Sequence, residues 1–121
     1  MSTTVKGKAG ERLAARYLAK KGFRIINTNF RYGRGEVDII AICEASVVFV
    51  EVKTWDAYDY GNLELSVDKG KKRRIIMASR GFLNQHPRYD GWRVRYDLLF
   101  ISDAGKQVKH ITSAFMETDV L

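Results

Sequence analysis

Gly35-Glu36-Val37-Asp38-Ile39-Ile40-Ala41-Ile42 and Val47-Val48-Phe49-Val50-Glu51-Val52-Lys53 decide the fold of this chain. Both runs are β-branched and apolar, with only Cys43, Glu44, Ala45 and Ser46 between them, which predicts a β-hairpin. Yet each carries charge inside what reads as a buried strand, and a buried carboxylate is costly unless it is paired or bound to a cation. A symmetric loop pairs Ile42 with Val47, so that Asp38 faces Glu51 and Glu36 faces Lys53 on one sheet face. Facing residues hold their Cβ atoms about 4.5–5.5 Å apart. Two carboxylates at that spacing repel unless a cation bridges them, and a lysine can sit beside the same reacting group. Glu-Ala is a poor two-residue turn, so this register is the step on which the reading turns.

Outward from the hairpin, 121 residues with 45% hydrophobic content make one domain, 1–121, with a core of its own. The balance of 21 Lys and Arg against 14 Asp and Glu gives a formal charge of +7, which favours polyanionic partners. Cys43 is the single cysteine, so an intrachain disulfide is excluded and a cytoplasmic location is expected. The polar start of the chain predicts no signal peptide. The most apolar stretch, 37–52, is broken by Asp38, Glu44 and Glu51, which predicts no membrane span.

Leu13, Ala14, Tyr17 and Leu18 recur at helical spacing between Val5 and Lys20, with Gly22 as a stop. Phe23–Phe30 reads as a strand, followed by a basic glycine turn, Arg31-Tyr32-Gly33-Arg34-Gly35. Trp55–Asn62 reads as a loop. Ser66 is placed to cap a second helix running to about His86, ahead of Pro87, with Lys71, Ile75, Ala78 and Phe82 on one stripe. Trp92–Ile101 and Gln107–Thr112 complete the strands, around a turn at Asp103-Ala104-Gly105-Lys106. The order αβββαβ with a last strand predicts an α/β fold, a mixed central sheet flanked by helices on both faces.

Glu11 lies on the buried stripe of the first helix, where it either joins Asp38 and Glu51 as a third carboxylate or only complements the helix dipole. Lys53 either pairs with Glu36 or stabilises developing phosphate charge beside a metal-activated water. Lys69, Lys71, Lys72, Arg73 and Arg74 crowd a helix N-terminus against its dipole. A solvated face explains such a run, and so do phosphate contacts, with Lys71 nearest the site. Arg31 and Arg34 offer further phosphate contacts. Trp55, Tyr58 and Tyr60 either stack on bases or pack the loop. His86 and His110 lack companion ligands and receive no zinc and no catalytic role.

Taken in order, Gly10-Glu11, Tyr17-Leu18, Gly22-Phe23, Asn29-Phe30-Arg31, Gly35 to Ala41, Phe49-Val50-Glu51-Val52-Lys53-Thr54, Lys71 and Arg95-Tyr96-Asp97 make the chain resemble the YraN-like family of bacterial endonuclease candidates. Through it the chain resembles the PD-(D/E)xK superfamily that includes Holliday-junction resolvases. Trp55 departs from the arginine that family members often carry there. The resemblance implies a restriction-endonuclease-like core, with Asp38, Glu51 and Lys53 as the catalytic signature. It also implies Mg²⁺ or Mn²⁺ held by Asp38, Glu51 and the Val52 carbonyl with help from Glu11.

The expected function is a metal-dependent endonuclease acting on structured or branched DNA, with Arg31, Arg34, Lys71, Lys72, Arg73 and Arg74 binding the nucleic acid and Glu36 supporting the site. A homodimer would suit cleavage of two strands. Two other readings stand beside it: a non-catalytic nucleic-acid-binding module of a DNA-processing assembly, and a structural protein whose charges form a buried salt-bridge network.

Overall fold

The first helix, α1 (Val5–Lys20), ends where glycine permits a left-handed residue. In the computed structural model, which describes residues 5–55, 67–102 and 107–120, Gly22 has φ +94°. There the Lys21 N–H donates to Tyr17 O and the Phe23 N–H to Leu18 O, satisfying carbonyls that the helix leaves open. The chain then runs through β1 (Arg24–Tyr32), β2 (Gly35–Cys43), β3 (Ser46–Trp55), α2 (Lys69–Gln85), β4 (Arg93–Ser102) and β5 (Val108–Phe115). Short 3-10 turns cover Pro87–Tyr89 and Glu117–Val120. The sheet order is β1-β2-β3-β4-β5, antiparallel except for the parallel pair β3/β4, whose connection contains α2. This is the expected α/β architecture with a mixed sheet, compatible with a restriction-endonuclease-like core.

The hairpin has the symmetric register: Ile42 pairs with Val47 and Ile39 with Val50. It is closed by Glu44 at φ 48° and Ala45 at φ 60°, both in the left-handed region that a tight hairpin turn demands and that glycine or asparagine fills more readily. Each non-glycine residue there costs about 1–2 kcal/mol. The cost is tolerated because a one-residue slip would turn both apolar faces of β2 and β3 the wrong way.

Both faces are indeed covered. Phe49, Leu98 and Phe100 pack with Ile75, Ala78 and Phe82 of α2 on one side. Ile39, Val48, Val50 and Leu99 pack with Ala14 and Leu18 of α1 on the other. That is why the central strands read as continuous apolar runs and not as alternating ones. Among the described residues, no helix is long and apolar enough to cross a membrane.

Several boundaries differ from the sequence reading, β5 among them, which runs on to Phe115. The cap of α2 is Asp68, whose Oδ1 accepts the Lys71 N–H at 2.9 Å, because a carboxylate one position before the helix satisfies an open donor and favours the positive helix end. Ser66 lies outside the described residues, as do Tyr58, Tyr60 and the turn at 103–106. β1 continues through Tyr32, so only Gly33 and Arg34 remain in the turn, and Gly35 begins β2. A Cβ on Gly35 would lie 2.6 Å from Ala78 N and Arg74 O, so glycine lets this strand start lie directly on the α2 backbone.

Candidate active site

Asp38 sits where the sheet loses its pairing. On β1 the partners Thr28–Ile39 and Phe30–Val37 flank it, while Asn29 between them has φ 52°; on β3 the ladder stops at Ile39–Val50. Val37 packs with the core on the α2 side and Ile39 with the core on the α1 side, although residues two apart on a regular strand share a face. The strand therefore turns over at Asp38. In place of a backbone partner, the Asp38 carboxylate accepts the Val52 N–H at 2.8 Å on Oδ2. The facing of Asp38 and Glu51 is thus achieved by a side chain docking on the next strand.

The cleft formed there, about 290 Å³, is lined by Asp38, Glu51, Val52 and Lys53 from the hairpin and by Glu11 from α1. Glu36, Arg31 and Lys71 line it as well. The structure therefore brings together the residues expected for catalysis and metal binding. Glu11 arrives because α1 lies close on β3: a Cβ on Gly10 would fall 2.7 Å from Thr54 Cγ2. Of the two readings of Glu11, the structure gives the cleft carboxylate.

Charge in the cleft is concentrated and poorly hydrated. Burial, and then the charge of Glu51, push the Asp38 carboxyl up to about 7. Burial also raises Glu51, which is 3% exposed, although the Lys71 ammonium opposes it from 2.9 Å. Glu11 is raised by burial and by Asp38, against a hydrogen bond with Asn29.

Glu36 pairs with Arg31 at 3.6 Å, a cross-strand partner on β1, and this corrects the expected pairing of Glu36 with Lys53. The basic run of α2 is dispersed around the helix. Lys71 points into the cleft, the Lys72 ammonium lies 5.5 Å over the Phe115 ring, and Arg73 Nε donates to Val120 O at 3.4 Å. Neither Lys72 nor Arg73 lines the cleft. Arg74 is exposed, with its backbone against Gly35, next to the exposed Arg34.

Sequence reasoning gave no site role to Asn29 or Thr54, which also line the cleft, and gave Lys71 to phosphate rather than to Glu51. The signal for Asn29 was slight: asparagine is among the few residues that accept left-handed backbone inside a strand.

The donor set fits a hard cation. Two carboxylates and a backbone carbonyl, with a third carboxylate beside them, offer oxygen alone, and Mg²⁺ characteristically takes one or two carboxylates and completes its shell with water and phosphate. Among the described residues, no three His, Cys, Asp or Glu side chains converge as a full ligand cage. An all-protein zinc or calcium cage is therefore a poor match.

The raised Asp38 fixes the sign of a pH effect. Its folded value, about 7, lies above the ordinary 3.8, so the folded state holds a proton that the unfolded state releases. Stability from this group is complete below about pH 4 and is lost as pH rises through 7. Asp38→Asn keeps an acceptor for Val52 and removes the charge. We expect it to melt several degrees above wild type at pH 8 without divalent metal, with the gap closing toward pH 5. Equal melting temperatures at pH 8 would show that Asp38 ionises there without cost.

These features define a class: an α/β domain with an acidic cleft at a splayed hairpin, edged by lysines and arginines. The family described as Uncharacterised protein family UPF0102 matches residues 10–101, and the chain belongs to it. A UPF0102 protein of Dechloromonas aromatica (strain RCB) is 36% identical over 118 residues, covering 98% of this chain and 94% of the relative. One from Persephonella marina is 39% identical over 115 residues, covering 95% and 97%. One from Treponema pallidum (strain Nichols) is 38% identical over 114 residues, covering 90% of each.

Proposed function

We propose that this protein is a metal-dependent endonuclease of the PD-(D/E)xK superfamily that hydrolyses phosphodiester bonds in structured or branched DNA. The observation that carries the reading is the single cleft holding Asp38, Glu51 and Lys53 on two adjacent strands, with Glu11 opposite. Carboxylates held this close, at this much cost in burial, have a use for a cation.

Asp38, Glu51 and the Val52 carbonyl would hold Mg²⁺ or Mn²⁺, with Glu11 assisting. A bound divalent ion supplies an acidified water and neutralises phosphate charge. Lys53, at the mouth of the same cleft, stabilises the charge that develops on the phosphate oxygens. Glu36 holds Arg31 beside the cleft, and Arg31 with Arg34 tracks the nucleic-acid backbone. A screen of single-stranded, duplex, flap and four-way substrates with Mg²⁺ or Mn²⁺ tests the proposal. Cleavage that disappears in Asp38→Ala supports it; tight, salt-sensitive binding without cleavage of any substrate would favour the non-catalytic module.

The placement of Arg34 and Arg74 makes them the phosphate contacts this reading favours. Arg34 in the β1–β2 turn and Arg74, whose backbone abuts Gly35, belong to one end of the molecule, whereas Lys72 and Arg73 are engaged near Phe115 and Val120. Combined Arg34→Ala and Arg74→Ala should lower the log–log salt slope of duplex binding by about 1.8, at about 0.9 per lost phosphate contact. An unchanged slope would move the binding surface to another face.

A further inference from the structure

Lys71 is in an unusual position for a residue of a basic helix start. Its Nζ lies 2.9 Å from Glu51 Oε2, with the lysine side chain 28% exposed and the glutamate 3% exposed. Asp38 and Glu36 also act on it electrostatically. Its backbone is fixed, since its N–H donates to the Asp68 cap, while the charge sits at the end of a four-carbon stem with rotamers of its own. Glu51 is too deeply buried to stand ionised without a partner. The ammonium supplies that partner from the direction of α2, into the same oxygen-lined cleft that suits a divalent ion.

We propose that the Lys71 ammonium is the resident counter-cation of the Asp38–Glu51 pair, which a divalent ion must displace in order to bind, and which then turns to the substrate phosphate. This rests on the reading of the cleft as a metal-dependent site. A divalent ion ligated by Glu51 would sit within a few ångströms of an ammonium 2.9 Å from Oε2, and two cations at that distance repel. Lys71 therefore lowers divalent affinity in the absence of substrate. A substrate phosphate offers the displaced ammonium a new anion, so metal and nucleic acid favour each other's binding.

The test is calorimetric titration of Mn²⁺ at pH 8, without nucleic acid, into wild type, Lys71→Gln and Lys71→Arg, with folding followed by circular dichroism. Lys71→Gln should bind Mn²⁺ about tenfold more tightly than wild type and gain more in melting temperature at saturation. Lys71→Arg, which keeps the charge, should stay near wild type. Lys71→Met, which keeps the stem length, replaces the glutamine variant if that does not fold.

Equal or weaker Mn²⁺ binding by a folded, uncharged variant, with Asp38→Asn still abolishing binding, overturns the displacement role and leaves the metal site standing. Absence of Mn²⁺ binding by every form overturns both. The second half of the proposal has its own measure: Mn²⁺ should tighten binding of a four-way DNA substrate by wild type more than by Lys71→Gln, and an equal gain would remove the phosphate contact.

Discussion

Lys53→Ala is expected to reduce cleavage by at least about a hundredfold while leaving folding and DNA affinity close to wild type. On the proposed mechanism the lysine acts on charge that exists only in the transition state, so its removal leaves ground-state binding almost untouched. The geometry sharpens this expectation. Were Lys53 the ion-pair partner of Glu36, its loss would expose a carboxylate and destabilise the hairpin. Glu36 instead pairs with Arg31 across β1 and β2, and the counter-charge nearest Glu51 is Lys71. Among the described residues Lys53 is thus the ion-pair partner of neither carboxylate, and the melting temperature of Lys53→Ala should move by no more than a few degrees. Two measurements bear on this together, single-turnover cleavage with Mg²⁺ and thermal denaturation. A variant that cuts as fast as wild type would place the chemistry on another residue or on a contaminating enzyme. One that loses both cleavage and fold would make Lys53 a structural residue.

The central hairpin was legible because its constraints are redundant. Two apolar runs of fixed length and a four-residue gap leave one register that buries both faces, and this register prevails although Glu44 and Ala45 must take left-handed backbone to form it. That register carries Asp38 and Glu51 to the point just beyond Ile39–Val50 where the ladder ends, and the Asp38 carboxylate docking on Val52 N–H completes their approach.

Other features depend on tertiary proximity that no local spacing encodes. The turn-over of β2 at Asp38 is set by Asn29 on one side and the Val52 N–H on the other. Lys71 meets Glu51 because the connection through α2 lays that helix on the sheet, a matter of packing and not of the basic run in which the lysine occurs. The same run does not mark one face: consecutive residues on a helix point about 100° apart, so Lys72 lies over Phe115 and Arg73 against Val120 while Lys71 enters the cleft. Tyr58 and Tyr60, read as base-stacking or packing residues, lie outside the described residues.

Asp97→Ala should remove about 3–5 kcal/mol of stability, and with it about 10–20 °C of melting temperature, although the sequence reading gives Asp97 no role in the chemistry. Its side chain is fully buried on β4 and accepts from Arg95 Nε at 3.0 Å, Arg95 Nη2 at 2.9 Å, His110 Nε2 at 2.8 Å and the Ser113 N–H at 3.0 Å. Burial opposes its ionisation, yet the hydrogen bonds from His110, Arg95 and Ser113 outweigh it and hold the carboxyl below the ordinary range. Stability from this group is thus present above the unfolded value and lost as pH falls through the folded one, the opposite sense to Asp38.

Alanine at 97 would leave a guanidinium, an imidazole and the N–H of a left-handed Ser113 without their shared acceptor, and it is this orphaning that is costly. The consequence reaches the cleft through α1. The His110 ring packs edge-on against Tyr17 at 5.6 Å and at a tilt against Phe23 at 5.8 Å, and Arg95 covers Phe23. The cluster therefore docks the C-terminal end of the helix whose N-terminal half carries Glu11. Urea denaturation measures the stability, and the Mn²⁺ affinity of whatever fraction stays folded at low temperature reports on Glu11. A loss below about 1 kcal/mol would mean that water replaces the missing carboxylate and that α1 is held by its apolar stripe alone.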